Sequence, residues 1–205
     1  MIELKTHVDL VPNIFRMNKF LRYATTIVTM VLVLSSCNQA EEAQVAIDQK
    51  DTFFSLDKFF EAEEERLQSA NIGLDKEIRI NEKEERQLIT EVDYSREFSM
   101  FRKADINRPA WSNKYLADST LQGGALQIRY TSTDPELKTQ ELFVIMNKEG
   151  GVEKIEVVSQ TETALAGNKS WMTYEPQKGY LIKTQQENRT AETLNIEIRG
   201  TFAEE

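Results

Sequence analysis

Gly123-Gly124-Ala125-Leu126-Gln127-Ile128-Arg129-Tyr130-Thr131 is the stretch where the hydrophobic period of this chain changes. From Leu126 onward apolar residues (Leu126, Ile128, Tyr130) alternate with polar ones (Gln127, Arg129, Thr131), the two-residue repeat of a half-buried strand. The same reading extends over 142–146, 152–157, 171–174, 180–182 and 194–202, about six strands in all. Turn residues separate them: Asp134-Pro135, Gly150-Gly151, Gly167-Asn168, Pro176 to Gly179, and Asn188. Short strands with Gly and Asn turns predict an antiparallel meander. Segment 142–146 is apolar on both faces, since Phe143 and Ile145 join Leu142, Val144 and Met146, so it is predicted to sit inside the sheet or where the sheet curls into a half-barrel.

Upstream the period reads differently. Leu56, Phe60, Leu67, Leu74 and Ile78 fall at intervals of four and seven, which predicts a helix over 54–80 with one apolar stripe. Glu61, Glu63, Glu64 and Glu65 fill its wet side, and Gly73 marks 71–73 as its weak point. Asn81 followed by Glu84 has the form of a capping box, predicting a second helix over 82–104 with Leu88, Val92, Phe98 and Phe101 inward. Pro109 sets its latest end. Helices first and strands second give an α+β class: a helical hairpin (54–104) packed on one face of the sheet, within a single domain over 51–205.

Between hairpin and sheet lies Asp105-Ile106-Asn107-Arg108-Pro109-Ala110-Trp111. Two readings apply. It is a binding corner, with Trp111 as anchor and Arg108 pairing with an anion, joined by Asp105 and Asn107. Or it is a connector whose Asp105 and Asn107 bond backbone amides while Trp111 caps the core. Trp171, Tyr174, Tyr180 and Phe202 line a cavity between sheet and helices on one reading and form plain core on the other. Asn168-Lys169-Ser170 and Asn188-Arg189-Thr190 match the N-glycosylation triplet. Asp118-Ser119-Thr120 resembles an O-glycosylation motif of Bacteroidota exported proteins.

The N-terminal part decides the compartment. Lys19 and Arg22 precede an apolar run over 24–34, then Leu34-Ser35-Ser36-Cys37. A charged start, a short apolar core and small residues describe a signal peptide over 1–36, with cleavage after Ser36. The run is about half of the roughly 20 residues a membrane-spanning helix needs. A start at Met17 fits such a leader better than Met1. Leu34-Ser35-Ser36-Cys37 resembles a bacterial lipobox, which implies diacylglyceryl and acyl groups on Cys37 and attachment to a membrane. Segment 37–50 then reads as the lipidated cysteine and an acidic tether. The residue after the cysteine is Asn38, not the aspartate that retains lipoproteins at the inner membrane, and Glu41-Glu42 resemble the acidic surface-export signal of Bacteroidota lipoproteins. The outer membrane is therefore expected, on its periplasmic face or at the cell surface.

Composition excludes several function classes. Cys37 is the one cysteine and His7, inside the leader, the one histidine. A chain beginning at Cys37 therefore has no histidine and no free thiol, which removes Ser-His-Asp and Cys-His relays and leaves no ordinary zinc site, so no metal and no cofactor are expected. Residues 1–36 hold four basic and two acidic residues, so the remainder carries 21 basic against 32 acidic, a net charge of −11. Such a chain is a poor partner for nucleic acid. The order of parts, from lipobox through tether, helical segment and Asp105–Trp111 to strands with Tyr174-Glu175-Pro176 and Gly179-Tyr180-Leu181-Ile182, resembles a group of small Bacteroidota lipoproteins from Cys37 to the C-terminus. The resemblance implies anchoring and no particular activity. The expectation is a non-enzymatic binding or envelope-assembly module with an envelope protein as partner. The alternative is a tethered carrier or acceptor of a hydrophobic ligand.

Overall fold

Ser55 starts the first helix among the described residues. In the computed structural model, which describes residues 52–188 and 191–203, its hydroxyl accepts a hydrogen bond from the Lys58 amide at 3.3 Å and caps α1 (Leu56–Ser69). Leu56, Phe60, Glu63 and Leu67 form its buried stripe. The helix ends where Asn71 turns left-handed (φ 48°), with the Ile72 amide donating to Leu67 O and the Asn71 amide to Gln68 O. That pair of bonds is a Schellman end, and Asn tolerates the conformation it needs.

The chain beyond Asn71 departs from the expected hairpin. Gly73–Ile80 is strand β1 and Lys83–Ile89 is strand β2, so neither a helix to residue 80 nor a helix over 82–104 forms. A spacing of four fits both periods: Leu74 and Ile78 share one face of a strand as readily as one of a helix. Asn81 is no helix cap. It lies at φ 52° in a two-residue hairpin loop closed by the pair Ile80 and Lys83, and its side-chain oxygen accepts the Asn195 amide at 3.0 Å. Helix returns only as α2 (Tyr94–Glu97) and α3 (Ser99–Arg102), followed by a 3-10 turn at Pro109–Trp111.

Seven further strands follow: β3 (Tyr115–Gln122), β4 (Ala125–Ser132), β5 (Thr139–Met146), β6 (Val152–Glu162), β7 (Ala166–Glu175), β8 (Gly179–Asn188) and β9 (Ala191–Ala203). The six strands read from the sequence are β4 to β9, and β3 is an addition. Together they form one antiparallel sheet in the order β2-β1-β9-β8-β7-β6-β5-β4-β3. The sheet is open, with β2 and β3 at its edges, and its meander closes back on β1 through β9. The class is thus mixed α+β with a larger sheet and less helix than expected. β5 lies inside the sheet, where its two apolar faces belong. Gly167-Asn168 is not a turn but part of β7; the turn comes earlier, at Thr163–Leu165.

α1, α2 and α3 cover one face of the sheet. Phe60, Phe98 and Phe101 meet Tyr174 there, with ring centroids 4.9 Å (Phe60), 5.4 Å (Phe98) and 6.1 Å (Phe101) from the tyrosine. At the β3–β5 end, Phe53 packs on Tyr115 (5.8 Å) and Tyr130 (5.5 Å). Such rings supply most of the apolar area removed from water. Gly200 of β9 makes room for this layer: a Cβ there would come 2.4 Å from Tyr180 Cε1 and 3.0 Å from Leu74 Cδ1.

Phe60→Ala is expected to lower stability by about 3–5 kcal/mol in a urea titration. Gly200→Ala is expected to lower the midpoint clearly more than Gly167→Ala, a site where an added Cβ meets nothing within 4 Å.

Candidate functional site

The segment Asp105–Trp111 is held by internal bonds. Asp105 Oδ1 accepts the Asn107 amide at 2.7 Å, while Oδ2 accepts the Ser55 hydroxyl at 3.1 Å and the Asp57 amide at 2.8 Å. Asn107 Oδ1 accepts the Phe53 amide at 2.9 Å, and its Nδ2 donates to Phe53 O and Phe54 O, both at 3.2 Å. Arg108 lies over the Trp111 ring, 4.5 Å from its centroid, and Trp111 packs partly buried against the core. Asp105 and Asn107 therefore clasp the incoming chain, which is the connector geometry, and Arg108, Pro109 and Ala110 are the exposed residues of the segment, with Trp111 half-buried.

Two glutamates form the most polar part of the interior. Glu63 accepts Arg66 Nε and Nη2, each at 2.9 Å, and the Tyr174 hydroxyl. Arg66 Nη2 also donates to Pro176 O at 3.0 Å, tying α1 to the β7–β8 turn. Glu97 accepts Lys76 Nζ at 2.8 and 2.7 Å on its two oxygens, and the Tyr180 hydroxyl. Tyr174 and Tyr180 face each other across β7 and β8. Each phenol thus donates to a helix carboxylate that is also held by a cation. Burial, reinforced by the neighbouring carboxylate, pushes both phenols well above the ordinary tyrosine range. Desolvation also raises Tyr94 and Tyr115 to about 12, and raises Tyr130. Sequence reading placed Glu63 on the wet face because its neighbours Glu61, Glu64 and Glu65 are acidic. The signal available was its seven-residue spacing from Leu56.

The opposite face of the sheet carries a shallow groove of about 250 Å³ lined by Arg79, Trp171, Lys183 and Glu197. Trp171 is no part of a cavity under the helices, since it points to this other face with Lys169 Nζ 5.1 Å from its ring centroid. Tyr174 and Tyr180 are core. Burial works to raise the Glu197 carboxyl, but bonds from Arg199 (3.1 Å) and Lys183 (3.3 Å) outweigh it and hold it below the usual range. With its charges paired, this groove is a solvated surface more than a site.

Ser36, Cys37, the tether and the leader lie outside the described residues. Asn168 lies within β7, and Asp118-Ser119-Thr120 within β3. Among the described residues no group of carboxylates could hold a metal ion, and no helix is long and apolar enough to cross a membrane. No family model, no curated protein and no solved structure matches the chain.

The five described tyrosines are all raised, so folded protein should keep them protonated where unfolded chain ionises, near pH 10. The stability this linkage contributes is present below about pH 10 and is lost as pH rises toward the folded values. Absorbance at 295 nm should therefore show phenolate formation delayed relative to the protein in urea, rising together with loss of the near-ultraviolet circular dichroism. Asn107→Ala should cost about 1–3 kcal/mol and expose Phe53 to protease, because it leaves buried backbone groups unpaired.

Proposed function

We propose that this protein is a lipid-anchored, non-enzymatic interaction module of the outer membrane, facing the periplasm or the cell exterior and serving an assembly of envelope proteins. The observation that carries the reading is the spacing between Leu34-Ser35-Ser36-Cys37 and Phe53, where Asn107 fastens the chain to the domain. Cys37 and Phe53 are sixteen residue steps apart, which extended would reach roughly 50 Å, enough to hold a domain clear of a membrane. Two acyl signals on Cys37 would make the attachment stable where one would not.

What the domain offers to a partner supports the module reading over the carrier. The space between helices and sheet, where a hydrophobic ligand would lie, is occupied by Phe60, Phe98, Phe101 and Tyr174. Apolar side chains instead reach the surface at the β3–β4 end, with Leu116 68% and Leu121 76% exposed.

Cells expressing the full chain and fed an alkyne-tagged palmitate should yield a labelled protein that fractionates with outer membranes. Cys37→Ser should lose the label. Label retained in Cys37→Ser, or a protein released unlabelled from the parent strain, would overturn the anchoring. A native mass excess lost on unfolding would favour the carrier instead.

A further inference from the structure

The two edges of the sheet differ in how they are protected. β2 carries Lys83-Glu84-Glu85-Arg86, four consecutive charges of the kind that discourage edge pairing. β3, Tyr-Leu-Ala-Asp-Ser-Thr-Leu-Gln over 115–122, carries one charge, Asp118, and is exposed from Leu116 to Gln122. No proline or basic residue interrupts it.

The backbone direction of this edge can be worked out. β3 and β4 are joined by Gly123-Gly124, both at positive φ (63° and 87°), a two-residue loop closed by the pair Gln122 and Ala125. In such a turn the closing pair is hydrogen-bonded. Further along, the Thr133 amide donates to Lys114 O at 2.9 Å, which fixes the same parity independently. The even-numbered residues of β3 therefore turn their amides and carbonyls to β4. Tyr115, Ala117, Ser119 and Leu121 turn theirs outward, where no strand among the described residues meets them.

We propose that β3 is a homodimerisation edge and that its occupant is β3 of a second copy, antiparallel, with Ser119 facing Ser119 on a two-fold axis perpendicular to the sheet. This names one partner for the interaction module, and it rests on strand geometry, not on the lipid anchor. The parity and the charge choose the register. Antiparallel pairing about such an axis keeps each face continuous, so only residues of equal parity face each other. With Ser119 on the axis, Ala117 faces Leu121 of the second copy and the outward backbone groups pair. Asp118 then faces Thr120. Sliding the register so that the axis passes through Asp118 would set the two Asp118 carboxylates directly opposite, which is destabilising. The same arrangement covers the exposed Leu121, which lands beside Ala117 and diagonal to Tyr115, next to the Phe53 ring of the second copy. β3 with β3 also closes after two copies, whereas β3 with the charged β2 would propagate without end. Because the axis is perpendicular to the sheet, both helix layers, and so both Phe53 residues, lie on one side, and two tethers can run to one membrane.

The test uses the full chain with Cys37→Ser, so that one introduced thiol is the only one and acylation plays no part. In detergent solution under mild oxidation, Ser119→Cys should give a disulfide-linked dimer, because a hydrogen-bonded antiparallel pair sets its Cα atoms about 5.5 Å apart. Asp118→Cys and Leu165→Cys should not. Sedimentation should show a dimer for the Cys37→Ser chain and a monomer once Ser119→Pro is added. Proline there removes an outward amide and leaves the β4 ladder intact, so its far-ultraviolet circular dichroism should be unchanged. A monomer before the proline change, equal cross-linking at Leu165, or cross-linking through Asp118 and not Ser119 would overturn the proposal. Loss of acyl label at Cys37 would bear on the anchoring alone.

Discussion

Two carboxylates placed over an aromatic core set the terms for the rest of this structure. Glu63 on α1 and Glu97 at the end of the one-turn α2 are pressed against the sheet, and a buried charge is tolerated only when it is paired and hydrogen-bonded. Each is met by a phenol from the sheet and a cation, Arg66 for the first and Lys76 for the second. The demand reaches far along the chain. It requires Tyr174 and Tyr180 side by side on β7 and β8, Lys76 on β1, and a bare Gly200 between Lys76 and Tyr180 so that Glu97 can be reached from both sides. β1 must therefore pair with β9, which is why residues remote in sequence share one sheet. α2 and α3 have four residues each, too few for ridge packing along α1, and the polar clamps help fix the helical layer on the sheet.

The sequence was legible where one face is dry and the other wet over several residues. β4 and β6 to β9 have that alternation, and β5 is a continuous apolar run that only an inner strand can bury. α1 has a buried stripe, although its cap at Ser55 and its stop at Asn71 were not read. Legibility failed at β1 and β2, for a physical reason. An edge hairpin buries one side chain in two at best, and here Lys76 takes an inward position because Glu97 awaits it. The remaining apolar residues, Leu74 and Ile78, are four apart, a spacing that helix and strand share. Asn81 compounded the ambiguity, since the side chain suited to a helix cap also suits a left-handed turn. β3 was hidden differently: Leu116 and Leu121 fall on opposite faces of an exposed edge strand, so no period emerges.

The candidate residues divided along the same line. Asp105 and Asn107 were conspicuous for their chemistry and turn out to spend it inward, on Ser55, Asp57, Phe53 and Phe54. Glu63, read as one of a solvated run, is the residue whose surroundings are most unusual. Charge runs conceal single buried members, because composition averages over faces that the fold separates.

The Asn107 clasp bears on how load is carried. Tension applied to the chain ahead of Phe53 meets three hydrogen bonds at Asn107 before it reaches Leu56, and Asp105 braces Ser55 and Asp57 just behind them. The pull would be passed to the connector leading into β3 and shared among several bonds. α1 is thereby set apart from a force that would otherwise peel it open one turn at a time, and the helix–sheet interface would keep its alignment under such a pull.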